Sequence, residues 1–187
     1  PAAEILAAVR DLPQQRVVVG IGSGSARIGA LGLVGAAVDA LRAGSSVRIV
    51  VGALGPRMRR LAAERADGPL LSWLTPERAA EQAAEARMAR AETRVTLYVR
   101  TALEPAAAER LAEETARYAS FPAYAANLER LGIDATDTTL DDARFAAGLR
   151  DYRAAVDEVV LRAITPTGSV SETLAFVDQA AARLAAD

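Results

Sequence analysis

The strongest constraint in this sequence is an alternation. Short runs of apolar and β-branched residues recur along the chain, and amphipathic segments fall between them. Arg16–Ile21, Val47–Val51, Gly68–Leu74, Arg94–Ala102 and Glu158–Ile164 read as strands with few polar positions. Ala2–Leu12, Ala30–Ala43, Pro56–Arg65, Thr75–Ala91, Glu104–Glu129, Phe145–Ala154 and Ser171–Ala186 read as helices, the fifth interrupted at Phe121-Pro122. Pro56 and Pro76 stand at first helical positions, where the missing N–H costs nothing. Gly32 and Gly35 each weaken their helix by about 1 kcal/mol. Strands so poor in polar residues, with helices between them, predict α/β architecture. The sheet is parallel, either covered on both faces or closed into a (β/α) barrel.

Length bears on that choice. A full eight-stranded barrel takes about 250 residues, whereas this chain has 187 and shows five strands. The sheet is therefore open, or the sequence is part of a longer chain. The step from helix to buried strand in RAGSSVRIVV is also abrupt, as if a loop had been removed there. With 51% hydrophobic residues the chain can bury a substantial core, and a single domain spanning 1–187 is expected.

Composition excludes several chemistries. There is no Cys and no His, and all 22 basic residues are Arg. Thiol and Ser-His nucleophiles, Lys Schiff bases, the P-loop lysine and His/Cys metal sites are thereby removed, and no metal is expected. If the chain is an enzyme, a bound cofactor carries the hard chemistry. A net charge of −2 and a pI near 5.4 give no basic stripe for nucleic acid. No apolar run reaches the roughly 18 residues of a membrane span, and the N-terminus lacks a basic n-region. A cytoplasmic protein acting on a small molecule, with neither nucleic-acid nor membrane partner, is the expectation.

Two strand ends then stand out. RVVVGIGSGSAR runs a buried strand into Gly20, Gly22 and Gly24, with Ser23 and Ser25 between and after them. Ligands of parallel α/β folds sit beyond the carboxyl ends of the strands. These glycines either admit a ligand to the backbone or form a tight turn. The spacing is not a dinucleotide fingerprint, because Ser25 and Arg27 stand where glycine is required. An S-adenosylmethionine-type nucleoside loop would carry an acid where Gly20 stands.

In VVGALGPRM a strand turns at Gly52 and Gly55 into a helix opened by Pro56. The amides of Ala53, Leu54 and Gly55 are expected to face outward there, with Arg57 adding charge, so the stretch is either a phosphate site or an ordinary strand–helix turn. Gly168 and Ser169, in TPTGSVSE after the last strand, offer a second phosphate lobe, and Ser169 or Ser171 caps the final helix. Asp67-Gly68 reads first as turn chemistry. Arg57, Arg59 and Arg60 read as a solvated charge run. Trp73 either walls a pocket or lies in the core. Tyr118, Phe121 and Tyr124 read as helix packing, and Asp134, Asp137, Asp141 and Asp142 lack metal-site spacing.

Taken together, RVVVGIGSGS, VVGALGPRMRRLAAERADGPLL and DEVVLRAITPTGS resemble the later part of the bacterial luciferase-like flavin oxidoreductases, which include monooxygenases and enzymes of the deazaflavin coenzyme F420. The glycine-alanine-x-glycine-proline-basic stretch and its alanine-rich helix ending in Ala-Asp-Gly carry most of the likeness, which runs from Arg16 to Leu184. The resemblance implies a luciferase-like (β/α) TIM barrel. It implies FMN or F420 held at the carboxyl ends of the strands and hydride transfer to or from an organic substrate. Ala53, Leu54, Gly55 and Pro56 would lie at the cofactor phosphate beside Arg57 and after Gly52. Gly22, Ser23 and Gly24 would face the ring or its ribityl chain, and Asp67 and Gly68 would precede the next pocket-lining strand. A homodimer is expected.

The family's first three strands have no counterpart here, and neither does the insertion expected between Arg42 and Val47. The chain is accordingly expected to be part of a longer protein, and no catalytic acid or base is singled out. The competing readings are a degenerate barrel without catalysis and the nucleoside binder.

Overall fold

The computed structural model describes residues 2–185 except Ser25 and Arg27. The strands are β1 (Val18–Ile21), β2 (Arg48–Gly52), β3 (Gly68–Ser72), β4 (Thr96–Thr101) and β5 (Glu158–Ala163). The helices are α1 (Ala2–Val9), α2 (Ala30–Gly44), α3 (Pro56–Arg65), α4 (Pro76–Ala89), α5 (Ala108–Ser120), α6 (Pro122–Leu131), α7 (Phe145–Ala155) and α8 (Val170–Ala185). This is α/β winding of the (β/α)-barrel kind, carried through part of a barrel. The backbone divides into two compact units, Pro1–Leu71 with Gln82–Thr96, and Ser72–Glu81 with Leu97–Asp187.

In the first unit β1, β2 and β3 are parallel neighbours. Val19 pairs with Ile49 and Ile21 with Val51, while Val51 pairs with Pro69 and Gly52 with Leu70. Side chains alternate across a strand, so Val19, Ile49 and Val51 share one face. They bury there against Val34, Val38 and Leu41 of α2 and Ala62 of α3. Fully burying an aliphatic side chain of this size is worth about 1.5–3 kcal/mol, which makes this face the main source of stability in the unit. The opposite face is small: a Cβ on Gly20 would stand 3.8 Å from Leu70 Cδ2 and Val50 Cγ2. Gly35, a weak point of α2 by propensity, makes room for Arg65, whose guanidinium lies over it and pairs with Asp39.

In the second unit Leu97 and Val99, alternate residues of β4, are buried. Tyr152 of α7 is also buried and donates its hydroxyl to the Leu74 carbonyl at 2.8 Å. Burial holds its phenol well above the usual tyrosine range. The long helix expected from Glu104 is divided. Pro105 opens a 3-10 turn, and Pro122 starts α6 because its ring cannot continue α5. No described helix is long and apolar enough to cross a membrane.

Candidate functional site

Two strand-to-helix corners of the first unit lie side by side. After β1, Gly22, Ser23 and Gly24 leave the sheet, Gly24 with φ +54°, and the Ala26 amide closes a turn on the Ser23 carbonyl at 3.1 Å. Ser25 falls outside the described residues. A Cβ on Gly22 or Gly24 would meet nothing within 4 Å, so packing among the described residues does not demand glycine at Gly22. The β2 corner adjoins this one, because a Cβ on Gly52 would stand 3.6 Å from the Ile21 carbonyl oxygen.

At the β2 corner the accounting of backbone donors is specific. The Ala53 amide continues the ladder to the Leu70 carbonyl at 3.1 Å and is not available to a ligand, contrary to the expectation that it faces outward. The Leu54 and Gly55 amides receive no acceptor from the described residues. Gly55 is the N-cap of α3 with no side-chain cap, Pro56 follows at the first helical position, and a Cβ on Gly55 would enter open space. Arg57 is exposed, and no described residue accepts from its guanidinium. An uncapped helix start with free amides and an unpaired cation is suited to an oxyanion.

Arg59 departs from the solvated charge run expected of it. It is 4% exposed, pairs with Glu85 of α4 and donates to the Leu54 carbonyl at 3.2 Å. Arg59 therefore braces the corner from below. Its helical spacing to Ala62, Ala63 and Ala66, all buried, was the available signal.

Asp67 lies at the opposite, amino-terminal end of β2. Its Oδ2 accepts from the Ile49 amide at 2.7 Å and its Oδ1 from Arg42 at 3.2 Å. Gly68 sits at φ +150°, with the Arg94 carbonyl oxygen 1.8 Å from where a Cβ would be. Both residues build the strand crossing, as turn chemistry suggested.

In the second unit the lobe at Gly168 and Ser169 is already filled. The amides of Thr167, Gly168 and Ser169 converge on Oε2 of Glu172 at 2.9, 3.0 and 3.4 Å, and the Glu172 amide donates to the Ser169 hydroxyl at 3.3 Å. This is a capping box. The carboxylate, held down to about 2 chiefly by the Thr167 amide, occupies the place predicted for a phosphate. In this structure the Gly168 and Ser169 donors serve the start of α8.

The same unit holds a cluster that sequence reasoning missed. Arg100 of β4 is 5% exposed and lies 4.0 Å from the Trp73 ring centroid and 4.7 Å from that of Tyr118. Its Nε donates to Glu114 Oε1 at 3.2 Å, while Arg162 of β5 grips the same carboxylate through Nε and Nη2, both at 3.1 Å. Burial pushes the Glu114 carboxyl up, but the hydrogen bonds and charge of Arg162 and then Arg100 outweigh it and hold it below the usual range. Two buried donors, Arg100 Nη1 and Trp73 Nε1, have no acceptor among the described residues. Trp73 lies in the core at φ +57°. Tyr118 packs on it at 5.1 Å and meets Phe121 and Tyr124 edge-on, as the packing reading of that stripe holds. The signals were a charged residue inside a buried strand and an acid beside Leu111 and Thr115 on the buried face of α5. The scattered acids serve locally: Asp134 caps the turn at Thr136, Asp141 pairs with Arg144, and Asp142 pairs with Arg183.

Comparison with known proteins adds the lineage. Residues 33–186 match the family described as luciferase-like monooxygenase. Among solved structures the chain is similar to an F420-dependent secondary alcohol dehydrogenase in complex with an F420-acetone adduct. The TM-score is 0.63 at 12% identity, over 88% of this chain and 70% of that one. No curated protein matches the chain.

Proposed function

The chain belongs to the luciferase-like monooxygenase family, and on that premise we propose that it is an oxidoreductase using F420 or FMN on a small organic substrate. The observation that carries this reading is the β2–α3 corner. Leu54 and Gly55 present amides without acceptors, Gly52 and Gly55 keep the backbone uncovered, Pro56 sets the helix start, and Arg57 stands unpaired beside it. Those residues fit the phosphate-bearing tail that both cofactors share. Gly22, Ser23 and Gly24, on the adjoining corner, leave room for the chain between phosphate and ring. The bound ring supplies hydride transfer; the protein residues bind it, orient it and exclude water. The dehydrogenase of similar fold, which carries F420, supports this cofactor class.

The test is direct binding of FMN and of F420, followed by fluorescence and calorimetry. Arg57→Glu is expected to weaken the bound cofactor by roughly 10- to 100-fold, the size of one charge-assisted hydrogen bond to an anion. Gly55→Val is expected to act likewise, by covering the free amides. Failure of both cofactors to bind, or an Arg57→Glu variant with wild-type affinity, would overturn the proposal in favour of a barrel that kept its packing without catalysis.

A further inference from the structure

The amino-terminal end of β2 carries a second feature that the oxidoreductase reading does not use. A cleft of about 410 Å³ opens there within the first unit, and Arg42, Arg48, Arg90 and Arg94 line it together with Asp67 and Glu92. The arginines come from separate segments. Arg42 ends α2, Arg48 begins β2, and Arg90 and Arg94 lie between α4 and β4. Asp67 is committed to Arg42 and the Ile49 amide, so it neutralises nothing else.

The cations differ in their partners. Arg48 donates to Thr96 at 2.8 Å. Arg90 reaches only the Thr93 hydroxyl, at 3.5 Å, and its buried Nε has no acceptor. Arg94 is exposed, and its side chain has no partner among the described residues. Glu92 pairs with neither of them. Cationic side chains gathered in one cleft repel one another, and a buried guanidinium N–H without an acceptor is destabilising. An anion in the cleft relieves the repulsion and gives the Arg90 and Arg94 forks an acceptor.

We propose that this cleft is a binding site for a small phosphate-bearing anion, inorganic phosphate or a phosphate monoester, held mainly by Arg90 and Arg94. A tetrahedral dianion accepts from several guanidinium forks at once, which one carboxylate cannot do. The site lies at the end of β2 opposite the Gly52–Arg57 corner, four residues or roughly 13 Å along the strand. At the amino-terminal face of a barrel sheet, bound ligand acts on stability rather than on chemistry. Here it would tie the α2–β2 connection to the α4–β4 connection.

The experiment titrates the purified chain with inorganic phosphate, and separately with glycerol phosphate, against chloride at fixed ionic strength. Melting temperature and ³¹P resonance are read together. A saturable rise in melting temperature is expected with inorganic phosphate, with the ester, or with both, and the arm that saturates at the lower concentration identifies the source. Arg94→Glu, a surface change whose fold is checked by circular dichroism, is expected to weaken binding at least tenfold. Arg90→Gln is expected to weaken it likewise, whereas Arg57→Glu leaves it unchanged. Absence of saturable binding, or binding untouched by both Arg94→Glu and Arg90→Gln, would overturn the proposal. Binding lost only in Arg57→Glu would assign the phosphate to the other corner and leave the cofactor reading standing.

Discussion

Glu114 is the residue on which two arginines of the second unit depend, and Glu114→Gln tests how much. The substitution keeps the shape and one acceptor oxygen but removes the charge. Arg100, 5% exposed and already lacking an acceptor at Nη1, would then keep a buried cation without a counter-charge. Breaking a buried ion pair by removing one partner costs about 3–5 kcal/mol, and the retained amide oxygen offsets part of that. Arg162 adds little, because its side chain is 38% exposed and a solvated pair is worth about 0–1 kcal/mol.

The net expectation is a loss of about 3 kcal/mol, which in a chain of this size lowers the melting temperature by roughly 6–12 °C. Urea denaturation followed by circular dichroism measures it. The single tryptophan of the chain is Trp73, 4.0 Å from Arg100, so its native emission should change in the same variant. Because the native carboxyl titrates below its ordinary value, its stabilisation is complete above the unfolded pKa and is lost as the pH falls through the native one. The gap between wild type and variant should therefore be constant near neutrality and close in acid. A loss below about 1 kcal/mol, or an unchanged tryptophan spectrum, would show that the cation–π stack alone holds Arg100 and refute the reasoning.

Gly68→Ala is expected to destabilise by about 3 kcal/mol or more. Its Cβ would stand 1.8 Å from the Arg94 carbonyl oxygen at a φ of +150°, and both the clash and the backbone strain must be relieved; a melt within a few degrees of wild type would contradict this. Glu172 should titrate at about 2 in a carbon-detected NMR experiment. Its folded pKa is depressed, so the stabilisation from the cap is complete above the unfolded pKa and is lost as the pH falls from there through the folded value of about 2. Glu172→Gln should remove the acid-dependent fraying at the start of α8, and an ordinary glutamate titration would show that the three amides are not its partners.

Much of the fold was legible because apolar runs and amphipathic periods are local signals. All five strands stand where the hydrophobic pattern puts them, displaced by one or two residues at their ends. β1 starts at Val18 because Gln14–Arg16 forms a 3-10 turn, and β3 stops at Ser72 because Trp73 adopts a left-handed backbone. The open backbone at Gly22 and Gly55 was legible from glycine alone. What glycine could not reveal is which donors are already taken. Ala53 looks like its neighbours in sequence, but its amide belongs to the β2–β3 ladder. Gly168 looks like a phosphate loop, yet the serine–glutamate spacing from Ser169 to Glu172 marks a capping box.

The same distinction orders the arginines. As a residue type, arginine supplies every cation of this chain, so its presence says nothing about role. Arg59, Arg100 and Arg162 each meet a carboxylate within 3.2 Å, and the first two are buried; their work is internal. Arg57 and Arg94 are exposed and meet none, one beside uncapped amides at the carboxyl end of β2, the other in the cleft at its amino end. A cation kept without a partner beside other unpaired donors has its free energy set by what binds there. Since the two sit at opposite ends of one strand, a single anion cannot serve both, and charge reversal at one should leave binding at the other intact.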